Sequence, residues 1–285
     1  MLTSHPLATP LHYQLKAVHE SHGWRVLLPY RYDSTTDTLS RLERLPDGQA
    51  VLLQMMQTAT GIVLQVDTPL SESNWAILAD RMGHALDLHA DLSEFYTVLE
   101  QVPRLAWVAS QGAGRMLKSP TVWEDLVKTL LTTNVNWKNT ISMVNRLVTH
   151  YDHTFPTPQQ IAQADAEQLN ATIRAGYRIT SLMRLAQRID SGELEVETWR
   201  TTPLPSAEQF RLIRQLHGFG DYASGAMMRL LCHHDYLGLD SVCRSAFFHL
   251  HNNGQPTDDK TIQAFYEPFG KWRGLVLWMD VLSTD

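Results

Sequence analysis

The stretch Leu216-His217-Gly218-Phe219-Gly220-Asp221-Tyr222-Ala223-Ser224-Gly225-Ala226 decides how this 285-residue chain is read. Just before it, Phe210, Ile213 and Leu216 recur at helical spacing, and a second helix is predicted from about Tyr222 to His233. Two glycines around one apolar residue permit a tight turn with positive φ, leaving backbone N–H groups pointing outward at the start of the second helix. Such a turn can bind phosphate, and it is equally what a helix stop plus a packing glycine looks like. Twenty residues after Gly220, Asp240 opens the next helix, within Gly238-Leu239-Asp240-Ser241-Val242-Cys243-Arg244. Asp suits that place as a helix cap, and the same placement would hold a carboxylate rigidly at a helix mouth.

From Ser119 onward the pattern is helical, with explicit start signals. Thr157-Pro158-Gln159-Gln160 and Ser206-Ala207-Glu208-Gln209 each set a hydroxyl three residues before a Gln, as a capping box does, and Pro158 suits a first helical position. Thr121 to Glu124 repeats the logic. Residues 1–110 differ: short alternating runs such as Trp24 to Leu28 and Gly61 to Val66 predict antiparallel strands, and Ser73 to Leu88 predicts a helix through Trp75, Leu78, Ala79, Met82 and Leu86. The expected class is α+β and mostly helical. An N-terminal antiparallel sheet domain with helices (1–110) precedes a helical domain (111–285) whose hairpin spans 206–234.

A composition of 44% hydrophobic and 19% charged residues excludes a disordered or fibrous chain. The net charge of -6 argues at first against a nucleic-acid partner, but it is unevenly spread. Residues 1–110 hold 7 Lys and Arg against 12 Asp and Glu, whereas 111–250 hold 14 against 13. The helical region is thus free to approach phosphate. Two cysteines, Cys232 and Cys243, form neither a disulfide framework nor a four-cysteine iron–sulfur pattern. With no secretory leader pattern and no run of about 18 apolar residues, a cytoplasmic protein without a membrane anchor is expected.

The motifs Leu216–Ala226 and Leu237–Phe247 together resemble the helix-hairpin-helix DNA glycosylases, whose signature is Leu-x-Gly-[Val/Ile/Phe]-Gly followed about twenty residues later by a catalytic aspartate. Phe155–Leu169 is similar to a helix pair of the bacterial inducible 3-methyladenine DNA glycosylase. Pro268–Leu282 is similar to the closing helix of that enzyme and of 8-oxoguanine DNA glycosylase. Both branches carry an N-terminal antiparallel sheet domain, as expected here.

The resemblance implies a monomeric enzyme acting on double-stranded DNA that contains a damaged base. The nucleotide is flipped out, and the bond between base and deoxyribose is hydrolysed. Asp240 becomes the carboxylate that steadies an oxocarbenium-like transition state. Bifunctional relatives carry a lysine two residues after the second hairpin glycine. Tyr222 stands there, and a phenol cannot form an imine, so a monofunctional enzyme without strand cleavage is expected. Tyr222, Trp272 and Trp278 fall on or beside base-pocket positions and suit cationic alkylated purines; by spacing alone, both tryptophans read equally well as core. Gly274 replaces the glutamine with which the 8-oxoguanine enzyme reads its base, which points away from that lesion.

Asn134, in Thr132-Thr133-Asn134-Val135-Asn136-Trp137, matches a residue that enters the duplex gap, or else it is a helix cap. DNA contacts are expected at Asn134, Gly218, Phe219, Gly220, Tyr222 and Arg244. The resemblance further implies a monovalent Na+ or K+ on the carbonyls of Arg214, Leu216 and Phe219, with no cofactor required. A non-catalytic DNA-binding module, or a glycosylase for an oxidised base, remain the alternatives.

Overall fold

The computed structural model describes residues 2–202 and 204–284. Five strands, β1 (Thr3–Leu7), β2 (Tyr30–Asp33), β3 (Thr38–Arg44), β4 (Ala50–Thr58) and β5 (Gly61–Val66), form one antiparallel sheet of order β1-β5-β4-β3-β2. The helices are α1 (Leu15–His19), α2 (Glu72–Ala85), α3 (Ser93–Leu99), α4 (Ala106–Ser110), α5 (Val122–Thr132), α6 (Trp137–His150), α7 (Pro158–Ala162), α8 (Ala166–Ile173), α9 (Arg178–Asp190), α10 (Thr198–Thr201), α11 (Ser206–Arg214), α12 (Asp221–Leu230), α13 (Ser241–His251), α14 (Asp259–Tyr266) and α15 (Arg273–Leu282). The class is the expected one, a mostly helical α+β protein with an N-terminal sheet. None of the helices is long and apolar enough to cross a membrane, among the described residues.

The chain packs as two compact units. One runs to Ala90 and resumes over Arg115–Glu197; the other comprises Asp91–Gly114 and the chain from Thr198 onward. The expected division at residue 110 follows the change from strands to helices, and the compact units are cut differently for a physical reason. Helix α5 is tied to strand β3 by Arg41 to Glu124 and to the turn before β2 by Trp24 to Asp125. Residues 91–114 are tied to the C-terminal helices by a two-pronged Arg104–Asp280 pair and by Glu94 to Lys271.

In the first unit, alternation sets the buried face of the sheet: Leu39 pairs with Met55, and Met55 with Leu64, all fully buried. The same face of β3 also buries two charges, Arg41 and Glu43. Arg41 donates to Glu43 (2.5 Å) and to Glu124 of α5 (2.9 Å), while Lys128 reaches Glu124 at 2.6 Å.

The neighbouring Asp125 meets no such pair of cations. Its Oδ1 accepts the Trp24 indole N–H (2.7 Å) and the Ser119 amide (2.9 Å). Burial outweighs these donors and pushes its carboxyl up to about 6. A folded pKa above the unfolded one contributes stability below pH 3.8 that is lost as pH rises through about 6. Asp125→Asn keeps an oxygen for both donors and removes the charge. We expect it to be about 2 kcal/mol more stable than wild type in urea at pH 8, with the difference gone near pH 4. Equal stability at pH 8 would show that this burial costs nothing.

Two sequence expectations are corrected. Trp24 to Leu28 is not a strand: Gly23–Val26 is a 3-10 turn, because Trp24 and Leu27 bury at a spacing of three while Val26 is 47% exposed. The Ser206–Gln209 capping box does not form. Pro205 is the cap residue, and the Ser206 hydroxyl is taken by His233 Nδ1 (2.9 Å) and Asp235 (2.5 Å), while Gln209 is buried on the inner face of α11. The box at Thr157 forms in full with Pro158 leading the helix, and Thr121 caps α5 through the Glu124 amide. Helix α2 begins one residue before its predicted start and is capped by Ser71.

Candidate active site

The hairpin lies wholly in the second unit. Helix α11 ends at Arg214, the turn runs over 215–220, and α12 starts at Asp221, one residue before the predicted start. Of the two glycines only Gly218 takes positive φ (88°); Gly220 is extended. Phe219 is buried, so the apolar residue between the glycines anchors the turn from inside. Gly220 is the cap residue of α12 and offers no side-chain acceptor, and Gly218, Gly220 and Tyr222 are exposed. The start of α12 therefore carries no side-chain cap, as an anion-binding helix start requires. Arg214 braces the turn, donating to Asp221 at 2.7 Å.

Two of the three carbonyls on which the resemblance sets a cation have other partners in the turn. The Leu216 carbonyl accepts the Phe219 amide (3.1 Å), and the Phe219 carbonyl lies 3.4 Å from the Arg214 guanidinium. A positive group thus attends one of the three oxygens.

Asp240 is the cap residue of α13, and its Oδ1 accepts the Cys243 amide at 2.8 Å. The cap reading is met: the bond fixes the carboxylate at the start of α13, and the residue is only partly buried. Beside it, burial pushes the Cys243 thiol up to about 11, which keeps it neutral. The approach to Asp240 depends on two close-packed glycines. A Cβ on Gly225 of α12 would lie 3.2 Å from the Gly238 Cα.

The aromatic residues separate. Tyr222 is 45% exposed at the start of α12. Trp278 is half-buried, and one ring face carries the Arg229 guanidinium at 3.9 Å. Trp272 is 8% exposed, packed against Phe95 and His234, with its indole N–H on Glu94; of its two sequence readings, the packing matches the core one. Gly274 has a structural reason of its own, since a Cβ there would collide with the Tyr236 carbonyl. Arg244 is held by both oxygens of Asp259, at 2.7 and 2.8 Å, so its charge is already matched.

Asn134 belongs to the first unit. It follows α5 with φ of 48°, while Asn136 caps α6. Thr133 is the cap residue of α5, and Asn134, the residue after it, takes left-handed backbone and is exposed. Two neighbours were not legible as candidates. The Arg178 guanidinium is buried and donates to the carbonyls of Thr133 and Asn134, which fixes the loop. Tyr177 is 61% exposed, and its hydroxyl accepts the Asn134 side-chain N–H at 3.2 Å. That bond lowers the phenol pKa, with Arg178 adding to it. The only hint in the sequence is Gly176, a turn glycine, directly before an aromatic–basic pair.

Helices α11 and α12, joined by the Gly-Phe-Gly turn, form a helix-hairpin-helix. The family model described as HhH-GPD superfamily base excision DNA repair protein matches residues 127–271, just over half of the chain. The chain belongs to that superfamily, the DNA glycosylases of base excision repair. No curated protein matches the sequence. Among solved structures, the 3-methyladenine DNA glycosylase from Archaeoglobus fulgidus superposes with a TM-score of 0.77 at 16% identity, over 98% of this chain and 97% of that one. The Clostridium acetobutylicum 8-oxoguanine glycosylase/lyase, in complex with double-stranded DNA, gives 0.71 at 17% identity, over 96% and 92%. At these identities the likeness is one of fold.

Proposed function

We propose that the protein is a monofunctional DNA glycosylase that removes alkylated purines from duplex DNA. The observation that carries this reading is Asp240, a carboxylate locked by the Cys243 amide at the start of α13. In the proposed reaction the flipped nucleotide places its sugar beside Asp240. As the glycosidic bond breaks, positive charge develops on the sugar ring, and the fixed carboxylate stabilises it without reorganising. Water completes the hydrolysis. A cationic alkylated base is already a good leaving group, so no general acid is needed.

Exposed Tyr222 supplies an aromatic face for the base and no amine for a Schiff base. Uncapped amides of α12 serve the phosphate backbone, and Asn134 with Tyr177 presents a polar and aromatic tip for the duplex.

Release of free base from a duplex methylated with dimethyl sulfate tests the activity, and borohydride trapping tests the mechanism. We expect base release with no covalent protein–DNA adduct; a trapped adduct would overturn the monofunctional reading. The Asn134 loop, which resembles that of the 8-oxoguanine branch, supports a second reading as an oxidised-base glycosylase, so the same assay includes 8-oxoguanine. Tight duplex binding without release of any base would favour a non-catalytic binding module.

A further inference from the structure

We propose that Arg229 is a positioning residue for Asp240, acting through the Gly238 carbonyl; the proposal rests on Asp240 being the catalytic carboxylate. Gly225 and Arg229 are one helical turn apart and share a face of α12. The missing side chain of Gly225 lets the 238 backbone come into van der Waals contact with α12. There Gly238 takes φ of 46°, a conformation that favours glycine. Its carbonyl then receives Arg229 Nη2 at 3.3 Å and lies 3.7 Å from the Cys243 Sγ. The same guanidinium nitrogen is 3.8 Å from that sulfur, and the guanidinium stacks on the Trp278 ring of α15 at 3.9 Å.

One planar group thus grips the chain two residues before Asp240 and three residues after it, while its flat face rests on a neighbouring helix. Without the clamp, the 238 carbonyl keeps only the weaker Cys243 thiol as a donor, and the turn leading to Asp240 loses its tie to α12 through Arg229. Stacking and directional donation together explain an arginine here: a lysine could supply a donor but no planar face to lie on the indole.

Full-length Arg229→Met and Arg229→Lys proteins test this in two ways. In amide hydrogen exchange on the free protein, we expect residues 239–244 of the Met variant to exchange about tenfold faster than in wild type, with the Lys variant between them and α5 unchanged. In single-turnover base release from dimethyl-sulfate-methylated duplex, we expect the Met variant to be slower by about 100-fold, with duplex affinity within about twofold and partial recovery by Lys. Unchanged exchange over 239–244 would overturn the clamp, and so would a loss of rate fully accounted for by weaker duplex binding. Should the Met variant not fold, Arg229→Gln, which keeps an amide donor, carries both measurements. Because the exchange experiment needs no substrate, wild-type protein that releases no base would refute the proposed function while the clamp is judged separately.

Discussion

Asp240→Asn is expected to slow single-turnover base release about 1000-fold. A unit charge about 4 Å from the developing sugar cation, at an effective dielectric near 20, is worth roughly 4 kcal/mol, or about three powers of ten in rate. The substitution isolates the charge. Asparagine caps helices about as well as aspartate, so the bond to the Cys243 amide and the start of α13 should survive. Thermal unfolding should therefore move by no more than about 2 °C, whereas Asp240→Ala should also lose about 1 kcal/mol of capping. An Asn variant that keeps a rate within tenfold of wild type would remove Asp240 from the mechanism.

Glu124→Gln is expected to lower the unfolding free energy by about 3–5 kcal/mol at pH 7. Glu124 is the shared anion of Arg41 and Lys128, and all three side chains are at most 3% exposed. A neutral amide leaves Arg41 with Glu43 and Lys128 with the Ser119 hydroxyl at 3.4 Å and the rings of Tyr30 and Phe155, two cations buried with too little negative charge. Burial alone would raise the Glu124 pKa, but Arg41 and Lys128 outweigh it and hold the carboxyl below its ordinary value. A depressed folded pKa contributes stability above pH 4.5 that is lost as pH falls through the folded value. Urea unfolding of both proteins at pH 7 and at pH 3.5 measures this, and the gap should narrow in acid. A gap that is constant or wider in acid would place the effect in packing and not in charge.

Glu124 and Asp125, adjacent in one helix, show why their environments were not legible in the sequence. Both are carboxylates in the first turn of α5, yet one pKa falls and the other rises. The Glu124 pKa is lowered chiefly by Arg41, 83 residues away, whereas Asp125 meets a neutral donor, Trp24, 101 residues away, that does not offset its burial; no local pattern announces either partner. By contrast, the Thr157 box, the Thr121 cap and the Asp240 cap were legible because each is a bond closed within three residues.

The Ser206 box failed for the opposite reason, since distant His233 and Asp235 compete for the same hydroxyl. At the site, the hairpin and the carboxylate could be read from spacing. The roles of Arg178, Tyr177 and Arg229 could not, because each depends on which chain passes over it in three dimensions.

The segment 91–114 belongs to the second unit although the chain on either side of it belongs to the first. Arg104 meets Asp280 across 176 residues. At roughly 5–20 residues per second of synthesis, that partner emerges from the ribosome about 10–35 s later. The sheet can pair while the chain is still short, but the ties of Arg104 to Asp280 and of Glu94 to Lys271 have to wait.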